Sequence, residues 1–320
     1  MMSNKTKETI LMQKYSQRDA FFARIGEMMK DDLDIVIVVA DQSTPVFDKI
    51  RKEFPERFFN TGIAEQNAVL VASGLAKEGK KVFVYAIASF MILCSFEKIR
   101  VSNSIMGIPI TIVGVGTGFS YDDSGPTHHL FEDITVMRVL PGMTIHSITD
   151  NVMARKVAES SIGMNTPNYV RLERHVDSDI YENDIDLSKG FEVIRDGEAG
   201  YIISTGIMVR QSLVIVDKLK DRGISLGVID MHTIPCKENV FIKEIREVTR
   251  LITIEEHFLP GGLGSYLLEI LSDNELKMDV KRFGLSNGWC YLYGGREDNR
   301  KYHGIDEESL ISGIEGYIKS

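Results

Sequence analysis

Basic charge is in short supply: 37 Lys and Arg stand against 46 Asp and Glu, a formal net charge of −9. A surface of that sign does not gather phosphate backbones, which excludes nucleic acid as the main partner. Three cysteines in 320 residues, Cys94, Cys236 and Cys290, show neither a metal-type spacing nor a disulfide framework. No apolar run reaches the roughly 18 residues that cross a bilayer, so no membrane span is expected. The N-terminal stretch lacks the long apolar core and small-residue cleavage site of a secretory leader. Its Ile10, Leu11, Tyr15, Phe21, Phe22 and Ile25 predict an amphipathic helix instead. These absences together predict a cytoplasmic protein.

What is present is ordinary globular composition, 43% hydrophobic and 26% charged, at about twice the length of a typical domain. Strand-like apolar runs at Ile35–Ala40, Val82–Ile87, Ile110–Val115 and Tyr169–Leu172 alternate with helical patterns at Ala64–Glu78, Phe90–Met106 and Asn151–Ile162. Continuous apolar runs separated by helices indicate parallel strands covered on both faces. The acidic stretch Val176–Lys189 reads as a linker, after which the rhythm restarts. It continues with strand Tyr201–Ser204, helix Met208–Lys220, strands Ser225–Ile229 and Leu251–Ile254, and helix Leu263–Leu271. The expectation is an α/β protein of two domains, residues 1–175 and 190–320 joined by 176–189, each a mostly parallel sheet flanked by helices.

The most informative segment is RFFNTGIAEQNAVLVASGLAKEG, Arg57–Gly79. Glu65 falls in the first turn of its helix, where a carboxylate is favoured by the helix dipole alone. Its neighbours Ile63, Ala64, Ala68, Val69 and Ala72 are small or apolar, which predicts a buried carboxyl suited to sharing a proton.

GIAEQN followed by a small-residue helix resembles the pyrimidine-binding domain of transketolases, and is similar also to that of 1-deoxyxylulose-5-phosphate synthases. The resemblance implies that Glu65 hydrogen-bonds N1′ of the aminopyrimidine of thiamine diphosphate, with Ile63 beside it. The segment ASFMILCSFEKIR is similar to the one whose aromatic side chains stack on that ring, which points to Phe90 and Phe96; both also fit ordinary core positions. GVGTGFSYDDSGPTHHLFED resembles the family's substrate loop, which implies that His128 faces a sugar. Gly114, Gly116 and Gly118 also make a loose dinucleotide-type pattern, but Pro126 interrupts it and no helical period follows. His128, His129, Glu132 and Asp133 are candidate metal ligands, although adjacent histidines rarely point the same way. NYVRLERH is similar to the strand that ends in a phosphate-gripping arginine, which makes Arg174 the candidate and Arg171 the alternative. Both arginines also fit salt bridges to Glu173 or the linker.

Two positions depart from the family pattern. Ser124 stands where many transketolases have an aspartate before Gly-Pro-Thr-His, and Gly116 where a histidine is common. Both leave the usual sugar-phosphate donor in doubt and are compatible with a modified ketose; Asp122 and Asp123 are neighbouring carboxylates. STGIMV, GVIDMHTIPC and ITIEEHFLPGGLGSYLLEIL resemble the transketolase C-terminal domain, which in the family chiefly builds the subunit interface. The acid/base cluster that Glu255, Glu256 and His257 suggest is therefore left out of the catalytic set, while NGWCYLYGGREDNRKYHGID is the least typical stretch.

The family holds the cofactor's pyrophosphate and Mg²⁺ through a Gly-Asp-Gly motif and a later Asn, and no Gly-Asp-Gly occurs in this sequence. The resemblance therefore implies the C-terminal subunit of a split transketolase, with Mg²⁺ bound mainly by a separate N-terminal subunit and an α2β2 heterotetramer as the assembly. The reaction implied is transfer of a two-carbon unit from a ketose, phosphorylated or modified, to an aldose in carbohydrate metabolism. A decarboxylating thiamine enzyme subunit and a non-catalytic assembly subunit remain as alternatives.

Overall fold

The computed structural model describes residues 16–41, 44–175, 178–182, 185–286 and 288–320. Ile10, Leu11 and Tyr15 of the expected N-terminal helix, and part of the linker, lie outside them. The described part of that helix is α1 (Gln17–Met28), capped by the Ser16 hydroxyl on the Asp19 amide, and it buries Phe21, Phe22 and Ile25.

Two α/β units follow, as the runs of β-branched residues require. In the first, β1 (Ile35–Val39), β2 (Phe58–Asn60), β3 (Lys81–Ile87), β4 (Thr111–Val115), β5 (Thr144–Ser147) and β6 (Asn168–Leu172) are parallel. Every residue of β1, β4 and β6 is buried, because helices cover both faces. Each large aliphatic side chain so buried contributes about 1.5–3 kcal/mol. In the second unit β7 (Glu192–Arg195) lies antiparallel on β9 (Gly227–Asp230). There β9 is parallel to β8 (Tyr201–Ser204), which continues the sheet through β11 (Arg250–Phe258) and β12 (Asp279–Leu285).

The units interlock. The short strand β10 (Thr233–Ile234) leaves the second unit and adds antiparallel to β5, pairing Thr233 with His146 and Ile234 with Ile145. The first sheet therefore has the order β10-β5-β6-β4-β3-β1-β2, and the second β12-β11-β8-β9-β7. Next to that joint the Thr149 hydroxyl and the linker's Tyr181 hydroxyl both donate to Asp230 Oδ2, at 2.6 and 2.8 Å. Burial pushes the Asp230 carboxyl up to about 7 despite these two donors. One apolar cluster runs from the first sheet through Met137, Leu140 and Ile145 to Phe191, Ile234 and Phe241.

Between β3 and β4 the sequence predicts one regular helix over Phe90–Met106. The chain instead forms π-helical turns at Phe90–Cys94 and Ile99–Ile105 around a short α-helix, Ser95–Lys98. The Met106 amide bonds the Val101 carbonyl at 3.0 Å, five residues back. A wider turn re-aims the side chains that precede it, which sequence periodicity cannot show.

Candidate functional site

Parallel strands end on a common edge, and the segments leaving β2, β3, β4 and β6 there carry Glu65, Phe90, the 116–128 loop and Arg174 in turn. Crevices at the carboxyl ends of such strands are where open α/β sheets hold ligands.

Glu65 opens helix α2 (Glu65–Lys77), whose Ala68, Val69, Ala72, Ser73 and Ala76 face the core. Gln66, Asn67 and Leu70 face outward and Glu65 itself is half-buried, so the fully buried carboxyl expected from its neighbours is corrected for the single chain. Of the apolar neighbours that prompted that expectation, Ala68, Val69 and Ala72 turn inward, Ala64 is half-buried and Ile63 lies 83% exposed. Phe59, Leu70 and Leu93 are also exposed. Apolar side chains left bare on an otherwise polar surface mark a face that is covered by something else.

Phe90 begins the wide turn after β3, and its ring meets the His128 imidazole edge-on, centroids 5.2 Å apart. Phe96 is half-buried and packs against the first core cluster. The structure thus brings Phe90 to His128 and gives Phe96 a core contact.

The 116–128 loop is organised by a residue that the sequence motifs do not single out. Gly116 has φ +94°, and a Cβ there would collide with the Tyr121 ring. Tyr121 therefore occupies the space that a side chain at position 116 would take. Its ring lies 5.7 Å from the His128 ring and carries the Arg174 guanidinium at 4.8 Å from its centroid. The sequence offered only a glycine five residues before a tyrosine; the positive φ at Gly116 is visible in the structure alone. His128 keeps Nδ1 3.1 Å from the Thr127 hydroxyl, which leaves Nε2 for an incoming group. His129 turns the other way, against Phe119 and Phe131, and burial holds its pKa below the ordinary value. The adjacent histidines diverge, and Asp133 is engaged by Arg171, so the metal reading of this stretch has no geometric basis.

Ser124 donates to Asp123 Oδ1 at 3.0 Å, and Arg174 Nη1 lies 3.7 Å from the same oxygen. The Ser124 hydroxyl, and then the charge of Arg174, hold the exposed Asp123 carboxyl below its usual value. A carboxylate thus stands one residue before the position where the family pattern has one. Asp122 is engaged elsewhere, accepting the Arg296 amide at 2.9 Å.

The two arginines separate cleanly. Arg171 is buried, donating to Asp133 through Nε at 2.6 Å and Nη2 at 3.1 Å, and to Ser147 through Nη1 at 2.8 Å. Its fork is committed to these partners rather than open to a substrate phosphate. Arg174, just beyond the end of β6, is exposed, stacked and loosely paired. Glu255 accepts the Leu263 and Gly264 amides at the start of helix α3 (Leu263–Asp273), and burial pushes its carboxyl up to about 7. Glu256 is buried, which alone would raise its carboxyl, but the charges of Arg296 and Arg300 hold it well below the carboxylate range. Burial pushes His257 down to about 4.

Residues 13–176 match the family model of the transketolase pyrimidine-binding domain, and residues 190–310 that of the transketolase C-terminal domain. An apulose-4-phosphate transketolase subunit of Actinobacillus succinogenes is 32% identical over 291 residues, 90% of this chain and 94% of that one. The subunit of the same name from Phocaeicola vulgatus is 33% identical over 307 residues, 94% of this chain and 97% of that one. A solved structure described as a split-gene transketolase, an inactive β4 tetramer, superposes with a TM-score of 0.86 at 29% identity, covering 95% of this chain and 98% of that one.

Proposed function

Since this chain belongs to the transketolase family, we propose that it is the C-terminal subunit of a split transketolase that moves a two-carbon ketol unit from a phosphorylated or modified ketose to an aldose. The observation that carries the reading is the gathering of Glu65, Phe90, His128 and Arg174 at the carboxyl ends of the parallel strands of one sheet. Relatives of nearly equal length that are themselves called subunits support dependence on a second chain.

The residues present fit one half of thiamine diphosphate. A half-buried carboxyl at Glu65, with the exposed Ile63 and the Phe90 ring on the segments around it, suits a flat aminopyrimidine that shares a proton at one nitrogen. Among the described residues no three His, Cys, Asp or Glu side chains gather to hold a metal ion, and Mg²⁺ and the pyrophosphate are assigned to the N-terminal subunit. When bound, thiamine diphosphate supplies the nucleophilic carbon and the electron sink for the transferred fragment. Glu65, half-buried at the first turn of its helix, is placed to hold the proton at N1′. Ile63 and Phe90 wall the ring, and Phe96 supports that wall from the core. His128, with Nδ1 turned to Thr127, presents Nε2 to a sugar hydroxyl, beside Ser124. Arg174 swings from Tyr121 and Asp123 onto the substrate phosphate. The relatives are named for apulose-4-phosphate, which supports a phosphorylated sugar at a loop that has Ser124 and Gly116 in place of the usual side chains. An α2β2 assembly in the cytoplasm, with domains meeting at 176–189, completes the proposal. Among the described residues no helix is long and apolar enough to cross a membrane.

Calorimetric titration of thiamine diphosphate with Mg²⁺ tests it. Tight binding is expected for the mixture of the two subunits and not for this chain alone; binding to neither removes the assignment. Replacing Arg174 by alanine is expected to raise KM for phosphorylated substrates about 10- to 100-fold with kcat little changed. An equal loss with unphosphorylated sugars would show that Arg174 does not read the phosphate.

A further inference from the structure

The atypical stretch near the C-terminus lies against the loop that carries His128. Helix α4 (Arg296–His303) belongs to the second unit, yet its first residue reaches into the first. The Arg296 amide donates to Asp122 Oδ2 at 2.9 Å, within the loop. Its guanidinium, nearly buried, takes Glu256 with two bonds, Nε at 3.0 Å and Nη2 at 2.7 Å, and reaches Glu173 Oε2 through Nη1 at 2.7 Å. Each of those carboxylates holds the loop in turn. Glu256 Oε2 accepts the Phe119 amide at 3.1 Å. Glu173 Oε1 accepts the Ser120 hydroxyl and, at 2.7 Å, the amide of Arg174. Phe119 and Phe131, at either end of the loop, are buried in the second unit's apolar cluster. Tyr293 closes the other side: a Cβ on Gly125 would lie 2.8 Å from its hydroxyl, so its ring tip sits against Gly125, the residue that opens the Gly-Pro-Thr-His run. Tyr293 is 67% exposed beyond that contact, and its neighbour Tyr291 68%.

One guanidinium thus joins three parts that are far apart in sequence: the loop, the end of β6 that bears Arg174, and β11 of the second unit. A planar fork with five donors can tie two carboxylates at once, which a lysine ammonium cannot do with fixed geometry. We propose that the C-terminal segment 289–300 is a clamp on the substrate loop, with Arg296 as a positioning residue and Tyr293 as a specificity-determining wall for the sugar. This rests on the functional reading above only for the identity of the loop's ligand. The clamp sets the spacing between His128 and Arg174, and with it the length of sugar phosphate that both can touch. Small displacements of such groups are costly, since a misplacement of about 1 Å can lower rates by roughly 100-fold.

The test compares wild type with Arg296→Ala, Arg296→Lys and Tyr293→Ala, each assembled with the N-terminal subunit. Backbone amide exchange over residues 117–130 is measured first, because it needs no substrate. Arg296→Ala is expected to speed exchange there by about 10- to 100-fold while the β1, β3 and β4 amides stay protected. Arg296→Lys is expected to restore only part of the protection. In steady state, KM for the sugar phosphate is expected to rise about tenfold in Arg296→Lys and Tyr293→Ala, with half-saturating thiamine diphosphate unchanged. Tyr293 is largely exposed, so its variant reports even if Arg296→Ala does not fold. Unchanged loop exchange in the arginine variants overturns the clamp whatever the activity does. Altered exchange with unchanged KM, in an active complex, overturns its role in substrate placement. A wild-type complex without ketol transfer defeats the functional reading instead, and the exchange data still decide the clamp.

Discussion

Changing Glu65 to glutamine is expected to cut turnover of the assembled enzyme by about 100- to 10,000-fold, the range that a positioned proton donor contributes. The substitution keeps shape and volume and removes only the ionisable proton. Glu65 is half-buried at the first turn of α2, outside the cluster that Ala68, Val69 and Ala72 build, so the fold has little stake in its charge. The melting temperature and the assembly with the partner subunit should therefore stay close to wild type. An amide can still accept or donate a hydrogen bond at N1′, but it cannot hold and return a proton there. Thiamine diphosphate binding measured alongside turnover separates the effects: retained binding with lost turnover is the expected pair. Turnover within a few-fold of wild type would sink the role given to Glu65.

The second large effect is on stability and involves no ligand. Arg171→Ala leaves Asp133, fully buried, facing the Tyr169 hydroxyl at 2.9 Å without its cation. Breaking a buried pair from one side costs about 3–5 kcal/mol, and in a chain of this size that lowers Tm by roughly 10 °C. The bidentate geometry, with Nε and Nη2 on the two carboxylate oxygens, argues for the upper part of that range. Replacing both partners, Arg171→Met with Asp133→Leu, should recover most of the loss, because two apolar side chains leave no uncompensated charge. Thermal denaturation of the single and double variants checks this, and additive losses in the double variant would show that the pair does not act as a unit. The same experiment separates the arginines: Arg174→Ala, exposed and held loosely, should melt near wild type while its kinetics change.

Much of the architecture was legible along the chain because parallel strands covered on both faces must be apolar at every position. IVIVV at β1 and the apolar runs at β3 and β4 could not be surface segments. The elements that escape such a reading are the ones where that logic weakens. β12 alternates exposed and half-buried positions over most of its length, β7 is half-buried throughout, and β5 has four residues of which only one is aliphatic. β2 has only three residues, and β10 has two and belongs to the other unit's sheet. Strands that short carry no period of their own. The wide turns at Phe90–Cys94 and Ile99–Ile105 were hidden for a related reason, since a widened turn leaves composition unchanged.

At the candidate site, residue identity was local information and residue company was not. GIAEQN and GPTHH pick out Glu65 and His128 as candidates, because each motif is a short run that can be read without knowing the fold. Whether Arg171 or Arg174 faces outward depended on where β6 ends and on Asp133 arriving from another helix. That Tyr121 fills the space beside Gly116, and that Arg296 ties the loop to two carboxylates, joins residues up to 174 positions apart. The sequence by itself determined two α/β units, their apolar strands and the candidate side chains, since burial and functional-group chemistry are properties of single residues and their near neighbours. Only the tertiary structure decided how deep Glu65 lies, which arginine is exposed and what holds the loop, because each depends on what the folded chain brings against it.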